Sequence, residues 1–316
     1  MRFALMIEPQ QDVSWEQNLA IAQRAEAAGF EILYRSDHYE SFPGPASKRS
    51  TDAWATIAAL VRETTTLRHG TMVSPITFRH PANLAKVVAT IDEMSGGRVE
   101  LGIGAGWHSV EHQRHGFEFP DRLDRIEMME EQFQIISGLW TEDDGWSFEG
   151  KHYRVEDARF APRPVQQPRP PLVMGTKGVN RGLRSAAKWA DHLNLFAADP
   201  AAAADAFGRF KTICEEEGRD RAEVTTSVLC AVAIGADRAE ADQRGQAAAE
   251  AMEYGSVAEW REGSDATWAI GTPDEAFVRV REFAHAGAEL IILQDFLPYD
   301  LDHIDLLGSL AKEWAS

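Results

Sequence analysis

Short, nearly continuous apolar runs alternate along this chain with longer stretches in which apolar residues recur every three or four positions. The first pattern is that of a buried strand and the second that of an amphipathic helix. The run at 3–7 (FALMI) is followed by a helical stretch over 15–28, which Gly29 stops before a second run at 31–35 (EILYR). A polar loop, SDHYESFPGPASKRS, comes next. The pattern then predicts a helix over 53–63, a strand over 67–73, a break at Ser74-Pro75, and a helix from His80-Pro81 to about Met94. Ser95-Gly96-Gly97 turns into RVELGIGAGWHSVE (98–111), a short strand followed by a glycine turn that opens onto a helix.

Residues 122–139 read as helix, and WSFEGKHYRV (146–155) as a hairpin-like insertion turning at Glu149-Gly150. The prolines of PRPVQQPRPP lack donors and restrict the residues before them, so this stretch reads as an ordered connector. Strands at 172–175, 191–196 and 224–234 alternate with helices at 181–189 and 201–217. An acidic, alanine-rich helical stretch at 238–268 precedes Gly271-Thr272-Pro273, where Thr272 caps a helix that stops at Gly287. A strand at 289–293 and a helix at 301–314 bring the count to eight βα units. The expected fold is α/β, a (β/α)8 TIM barrel forming one domain over 1–316, with insertions at about 141–171 and 237–270.

Composition narrows the partners. With 32 Lys and Arg against 50 Asp and Glu, the net charge of −18 argues against nucleic acid and anionic membranes, both of which call for clustered cations. No stretch has the uninterrupted apolar length of a membrane span, and residues 1–8 read as a strand without a basic start. The only two cysteines, Cys214 and Cys230, sit in a helical and a strand pattern, which points to no disulfide framework and to a cytoplasmic location.

In such a barrel the reacting groups lie at the carboxyl ends of the strands. Here those ends carry Glu8, Asp37-His38, Ser74, 104–107, 175–178 and Gln294-Asp295. Asp37-His38 is the sharpest pair, since an imidazole exchanges protons near neutral pH and a carboxylate can orient it; a capping or loop role is the alternative. Gly175-Thr176-Lys177-Gly178 ends a strand ahead of a helix whose free N–H groups suit an anion, helped by Lys177, Arg181 or Arg184; an ordinary tight turn is the other reading. Gly102-Ile103-Gly104 follows a strand as a dinucleotide fingerprint would. The third glycine is replaced by Trp107 in one register and Ser109 in the other, which excludes that motif. His108-Ser109-Val110-Glu111-His112 has zinc-compatible spacing, but it identifies no further ligands, and no metal is expected.

Taken together, SDHY, GTMVSPITFRHPANLAK, GGRVELGIGAGWHSVEH and PLVMGTKGVNRGLRSAAKWADHLNLF resemble the bacterial luciferase-like family, and within it the branch dependent on the deazaflavin coenzyme F420. The resemblance implies a TIM-barrel oxidoreductase that transfers a hydride on a small organic substrate; a reduced-FMN monooxygenase, with a separate reductase, is the alternative. It implies His38 and Glu111 as catalytic residues. It also implies a coenzyme site drawn from Asp37, Met72, Val73, Ser74, Trp107, Gly175, Thr176, Lys177 and Gly178. Met72-Val73 would be a bulge behind the ring, commonly with a non-proline cis peptide, and 175–178 would receive the coenzyme phosphate. The family also favours homodimers. One departure matters: related sugar-phosphate dehydrogenases carry an acid where Trp107 stands, so their proton scheme and substrate do not transfer to this chain.

Overall fold

The structure, a computed structural model describing residues 1–315, closes the expected barrel. The first half runs β1 (Arg2–Ile7), α1 (Trp15–Ala28), β2 (Ile32–Arg35), α2 (Ala53–Glu63), β3 (Arg68–Thr71), β4 (Ser74–Pro75), α3 (Pro81–Ser95), β5 (Val99–Gly104), α4 (Ser109–His115) and α5 (Arg122–Thr141). A hairpin of β6 (Trp146–Glu149) and β7 (Arg154–Ala158) leads to β8 (Leu172–Thr176), α6 (Asn180–Trp189), β9 (His192–Leu195), α7 (Pro200–Glu216) and β10 (Thr225–Ile234). The chain ends with α8 (Arg238–Ala251), α9 (Val257–Ser264), β11 (Ala269–Gly271), α10 (Pro273–His285), β12 (Leu290–Asp295) and α11 (Leu301–Ala315).

Strands β1, β2, β3, β5, β8, β9, β10 and β12 pair in that order, all parallel, and β12 returns to β1. Every parallel crossover brings a helix onto the outside. One apolar layer therefore lies between strands and helices, around Leu5, Leu101, Phe133 and Ile291, and a smaller one fills the barrel, with Ala4, Met6, Ile32, Tyr34, Val173 and Ile292. Alternation along β1 sends Leu5 and Ile7 outward and Ala4 and Met6 inward, which is the period-two rule at work.

Local signals act where the sequence placed them. Gly29 and Gly96 close α1 and α3 in left-handed conformation, at φ 89° and 68°, and Pro81 opens α3 behind His80. The proline-rich connector is ordered: fully buried Asp92 accepts the N–H groups of Val165 and Gln166 at 2.7 and 3.0 Å. Two expectations change. The stretch 238–268 is two helices, α8 and α9, and β11 then pairs with the last three residues of β10. The third strand is not continuous over 67–73: it breaks between β3 and β4, and that break shapes the site. No described helix is long and apolar enough to cross a membrane.

Candidate active site

His38 and Glu111 are 73 positions apart and meet at the carboxyl end of the barrel. Glu111 Oε2 lies 3.0 Å from His38 Nδ1, and Oε1 accepts the backbone N–H groups of Tyr39 and, at 3.2 Å, Glu40. The carboxylate is fully buried, which alone would raise its pKa. The hydrogen bond and charge of His38, with the two N–H groups, outweigh burial and hold it below its ordinary value. An ionised Glu111 accepts on Nδ1, so the histidine donates there and Nε2 is left as the exchangeable nitrogen. Nε2 has no protein partner among the described residues. Phe42 meets the ring edge-on at 4.5 Å between centroids, and Trp107 at 6.1 Å.

Asp37 faces the other way. Buried behind the loop, its carboxylate accepts Ser74 Oγ at 2.7 Å and Arg79 Nη1 at 2.6 Å, while Trp54 Nε1 donates to the same Ser74 Oγ at 3.0 Å. Arg79 also reaches Asp52, the N-cap of α2, at 2.6 Å, so both ends of the 37–52 loop are clamped. Ser74 directly follows Met72-Val73, whose peptide bond is cis. The Val73 side chain occupies space that three glycines leave open. A Cβ on Gly104 would stand 2.5 Å from Val73 Cγ2, one on Gly175 would stand 3.3 Å from Cγ1, and one on Gly102 would collide with the Thr71 carbonyl oxygen. The glycines of β5 therefore serve a neighbouring backbone and its bulge.

At the end of β8, Thr176, Lys177 and Gly178 lead into α6, whose N-cap, Val179, offers no capping side chain. No side chain caps the first N–H groups of that helix. Gly178 holds φ +78°, its N–H donates to Thr176 Oγ1 at 3.3 Å, and a Cβ there would come within 2.9 Å of Ala206. Of the three cations suggested by sequence, Arg184 is held by Glu216 and Glu217 at the end of α7, and Arg181 pairs with Glu130 on α5 at 3.4 Å. Lys177 alone has no ion-pair partner among the described residues.

The histidine string does not converge on one point. Glu111 goes to His38, whereas His112 bonds Thr77 Oγ1 at 2.6 Å and the His108 carbonyl at 2.8 Å. His108 Nε2 stands 3.5 Å from Glu40. Asp295 is fully buried on His303 at 3.2 Å. Its neighbour Gln294 donates to Glu8 at 2.5 Å, and Gln10 joins that carboxylate to Ser36.

The chain has known relatives. The family model described as luciferase-like monooxygenase matches residues 1–290. The chain belongs to the luciferase-like monooxygenase family. It is 32% identical over 181 residues to an FMNH2-dependent dimethylsulfone monooxygenase of Pseudomonas putida, covering 56% of this chain and 48% of that protein. It is 34% identical over 155 residues to an F420-dependent glucose-6-phosphate dehydrogenase of Microbacterium testaceum, covering 49% and 45%. Its fold matches that of an F420-dependent secondary alcohol dehydrogenase solved with an F420–acetone adduct: TM-score 0.79 at 22% identity, over 98% of this chain and 97% of that one. The matched stretches cover between 43% and 64% of the curated relatives' own lengths. The luciferase-like family thus includes both F420-dependent and FMNH2-dependent members.

Within this luciferase-like site, sequence reasoning missed Glu40 and Arg79. Neither was singled out, yet Glu40 is 5% exposed and held by Arg114 at 2.8 Å, and Arg79 is clamped between two acids. One available signal was position: Glu40 is two residues beyond His38, and Arg79 stands four beyond Pro75, where β4 ends. Trp107 shows the opposite deviation, a large apolar side chain 64% exposed at the rim beside His38.

Proposed function

We propose that this luciferase-like chain is a coenzyme F420-dependent oxidoreductase that moves a hydride to or from a small organic substrate. One observation carries the reading: His38 keeps Nε2 free while a buried, ionised Glu111 holds Nδ1, one residue from the Asp37 that grips the bulge. The residues fit the coenzyme in kind. Met72, Val73 and Ser74 would back its ring, and Asp37 keeps that support in place through Ser74. Gly175, Thr176, Lys177, Gly178 and the uncapped N–H groups of α6 suit its phosphate, and Trp107 would flank the substrate side. When bound, the deazaflavin supplies two-electron hydride chemistry.

The protein's own part is proton handling. A substrate that gains or loses a hydride at carbon must gain or lose a proton at its heteroatom, and His38 Nε2 is the group to exchange it. Glu111 fixes the tautomer and stabilises the ring when it is cationic. It is a positioning residue here, since its oxygens are taken by His38 and the loop backbone.

Parallel titrations with F420 and with FMN test the reading. F420 is expected to bind at micromolar or better affinity and FMN more weakly, and His38→Ala is expected to keep the coenzyme while losing about a hundredfold in turnover. Tighter FMN binding would instead favour the monooxygenase reading, fed by a separate reductase, that the dimethylsulfone monooxygenase relative supports.

A further inference from the structure

Beside His38 and Glu111 stands a second histidine–carboxylate pair that the proposed reaction leaves unused. Glu40 Oε1 lies 3.5 Å from His108 Nε2 and 2.8 Å from Arg114 Nη1, and its Oε2 lies 3.9 Å from His115 Nε2. The backbone N–H of Glu40 donates to Glu111, so the two carboxylates are tied through one loop residue. His108 occupies the N-cap position of α4 yet makes no capping bond. Its ring turns instead toward Phe42, Trp107 and His38, with centroids 4.7, 5.0 and 6.4 Å away. Nε2 faces Glu40, and Nδ1 has no protein partner among the described residues. The side chains grow more open outward: His38 is 11% exposed, His108 19% and His115 37%.

We propose that His108, oriented by Glu40, is a second acid–base group of this site and shares one titrating proton with His38. Its place in turnover rests on His38 being the group that exchanges the substrate's proton. With centroids 6.4 Å apart the two rings make no direct hydrogen bond, and one bridging water is the carrier this inference requires. With the shared proton on His108 Nδ1 and His38 neutral, that water gives a proton to His38 Nε2 and takes the one on His108 Nδ1, which leaves His38 ready to give a proton and His108 neutral. One proton moves, no bond to carbon changes, and the opposite direction reverses each transfer. Two cations this close in a half-buried pocket repel, so charging one ring opposes charging the other. The charged and titratable groups around His108 are His38 and Glu40, with Arg114 and His115 of α4 joined to Glu40, His112 bonded to the His108 carbonyl, and Glu111 one step away on His38.

The test uses the full chain with labelled histidine, without coenzyme or substrate, titrated from about pH 5 to 9 by NMR. In wild type, the His38 and His108 curves are each expected to depart from a single-site shape. His108→Gln should make the His38 curve single-site and move its midpoint by about half a pH unit or more. Glu40→Gln should move the His108 midpoint in the acid direction by a similar amount, about half a unit, because a stabilising charge is lost. A His38 curve that is unchanged in His108→Gln overturns the inference. Should that variant fail to fold, an unchanged His108 curve in Glu40→Gln overturns it instead. The coenzyme titrations above fail or succeed independently of these curves.

Discussion

Glu111 grips His38 with one oxygen, at 3.0 Å from Nδ1, and grips the loop carrying His38 with the other, through the N–H groups of Tyr39 and Glu40. A single buried carboxylate thus sets both the ring and its mounting. Glu111→Gln keeps the shape but removes the charge and one of the two accepting edges. It should destabilise the fold by about 2–4 kcal/mol, whereas His38→Ala, which leaves both backbone N–H groups satisfied, should cost about 1 kcal/mol. Urea unfolding of the two variants checks the order, and equal costs would show that the loop does not depend on Glu111.

Val73 fills the space left by Gly104 and Gly175, so crowding there should be relieved by shrinking its partner. Gly104→Ala should destabilise by about 1–3 kcal/mol, because the new Cβ meets Val73. Adding Val73→Ala should recover part of that loss, giving a coupling of about 1 kcal/mol in a double-mutant cycle. Strict additivity of the two changes in thermal unfolding would mean that the bulge and β5 do not press on each other.

Much of this arrangement was legible in the chain and some was not, for physical reasons. The βα alternation, the helix stops at Gly29 and Gly96 and the opening of α3 at Pro81 are local signals, and they hold where nothing distant opposes them. The break inside strand three was hidden, because Thr71, Met72 and Val73 are ordinary strand formers. What admits the bulge is the absence of side chains at Gly102 and Gly104, on a strand thirty residues later, and no periodicity within 67–73 carries that information. The glycines themselves were visible, as was their use in close approach, but not which neighbour approaches. Strand-end position singled out His38, resemblance added Glu111 to it, and only the fold brings them within bonding distance. Glu40 and Arg79 escaped because a loop charge is usually solvated, and each is buried by partners well removed along the chain.

The turn after β8 offers a direct comparison between cations. Lys177 is unpaired among the described residues, while Arg184 is engaged by Glu216 and Glu217. Lys177→Ala should weaken coenzyme binding about tenfold and flatten its dependence on salt, whereas Arg184→Ala should leave both within about twofold. Fluorescence titrations at two ionic strengths measure this. Gly178 is a poor probe of the same turn, since its φ of +78° and the nearby Ala206 make any side chain there a packing change as well.

A last prediction concerns acid stability at the amino end of the barrel. Glu26 on α1 accepts the backbone N–H groups of Thr65, Thr66 and Leu67 through one oxygen, at 2.8, 2.6 and 2.9 Å, and so holds the turn between α2 and β3. Burial would raise its pKa, but the donors from Thr66, Leu67 and Thr65 prevail and bring it down from 4.5 to about 2. A carboxyl group whose folded pKa is depressed contributes stability that is present above its unfolded value and lost as pH falls toward the folded one. After discounting for partial solvent screening, that contribution is about 1–2 kcal/mol at neutral pH. Glu26→Gln should therefore be less stable than wild type by about that amount at pH 7, and the gap should narrow steadily from about pH 4.5 down to about pH 2. Urea midpoints measured across that range decide it: a gap that stays constant with pH would mean that the N–H groups are held by shape alone, with no contribution from the charge.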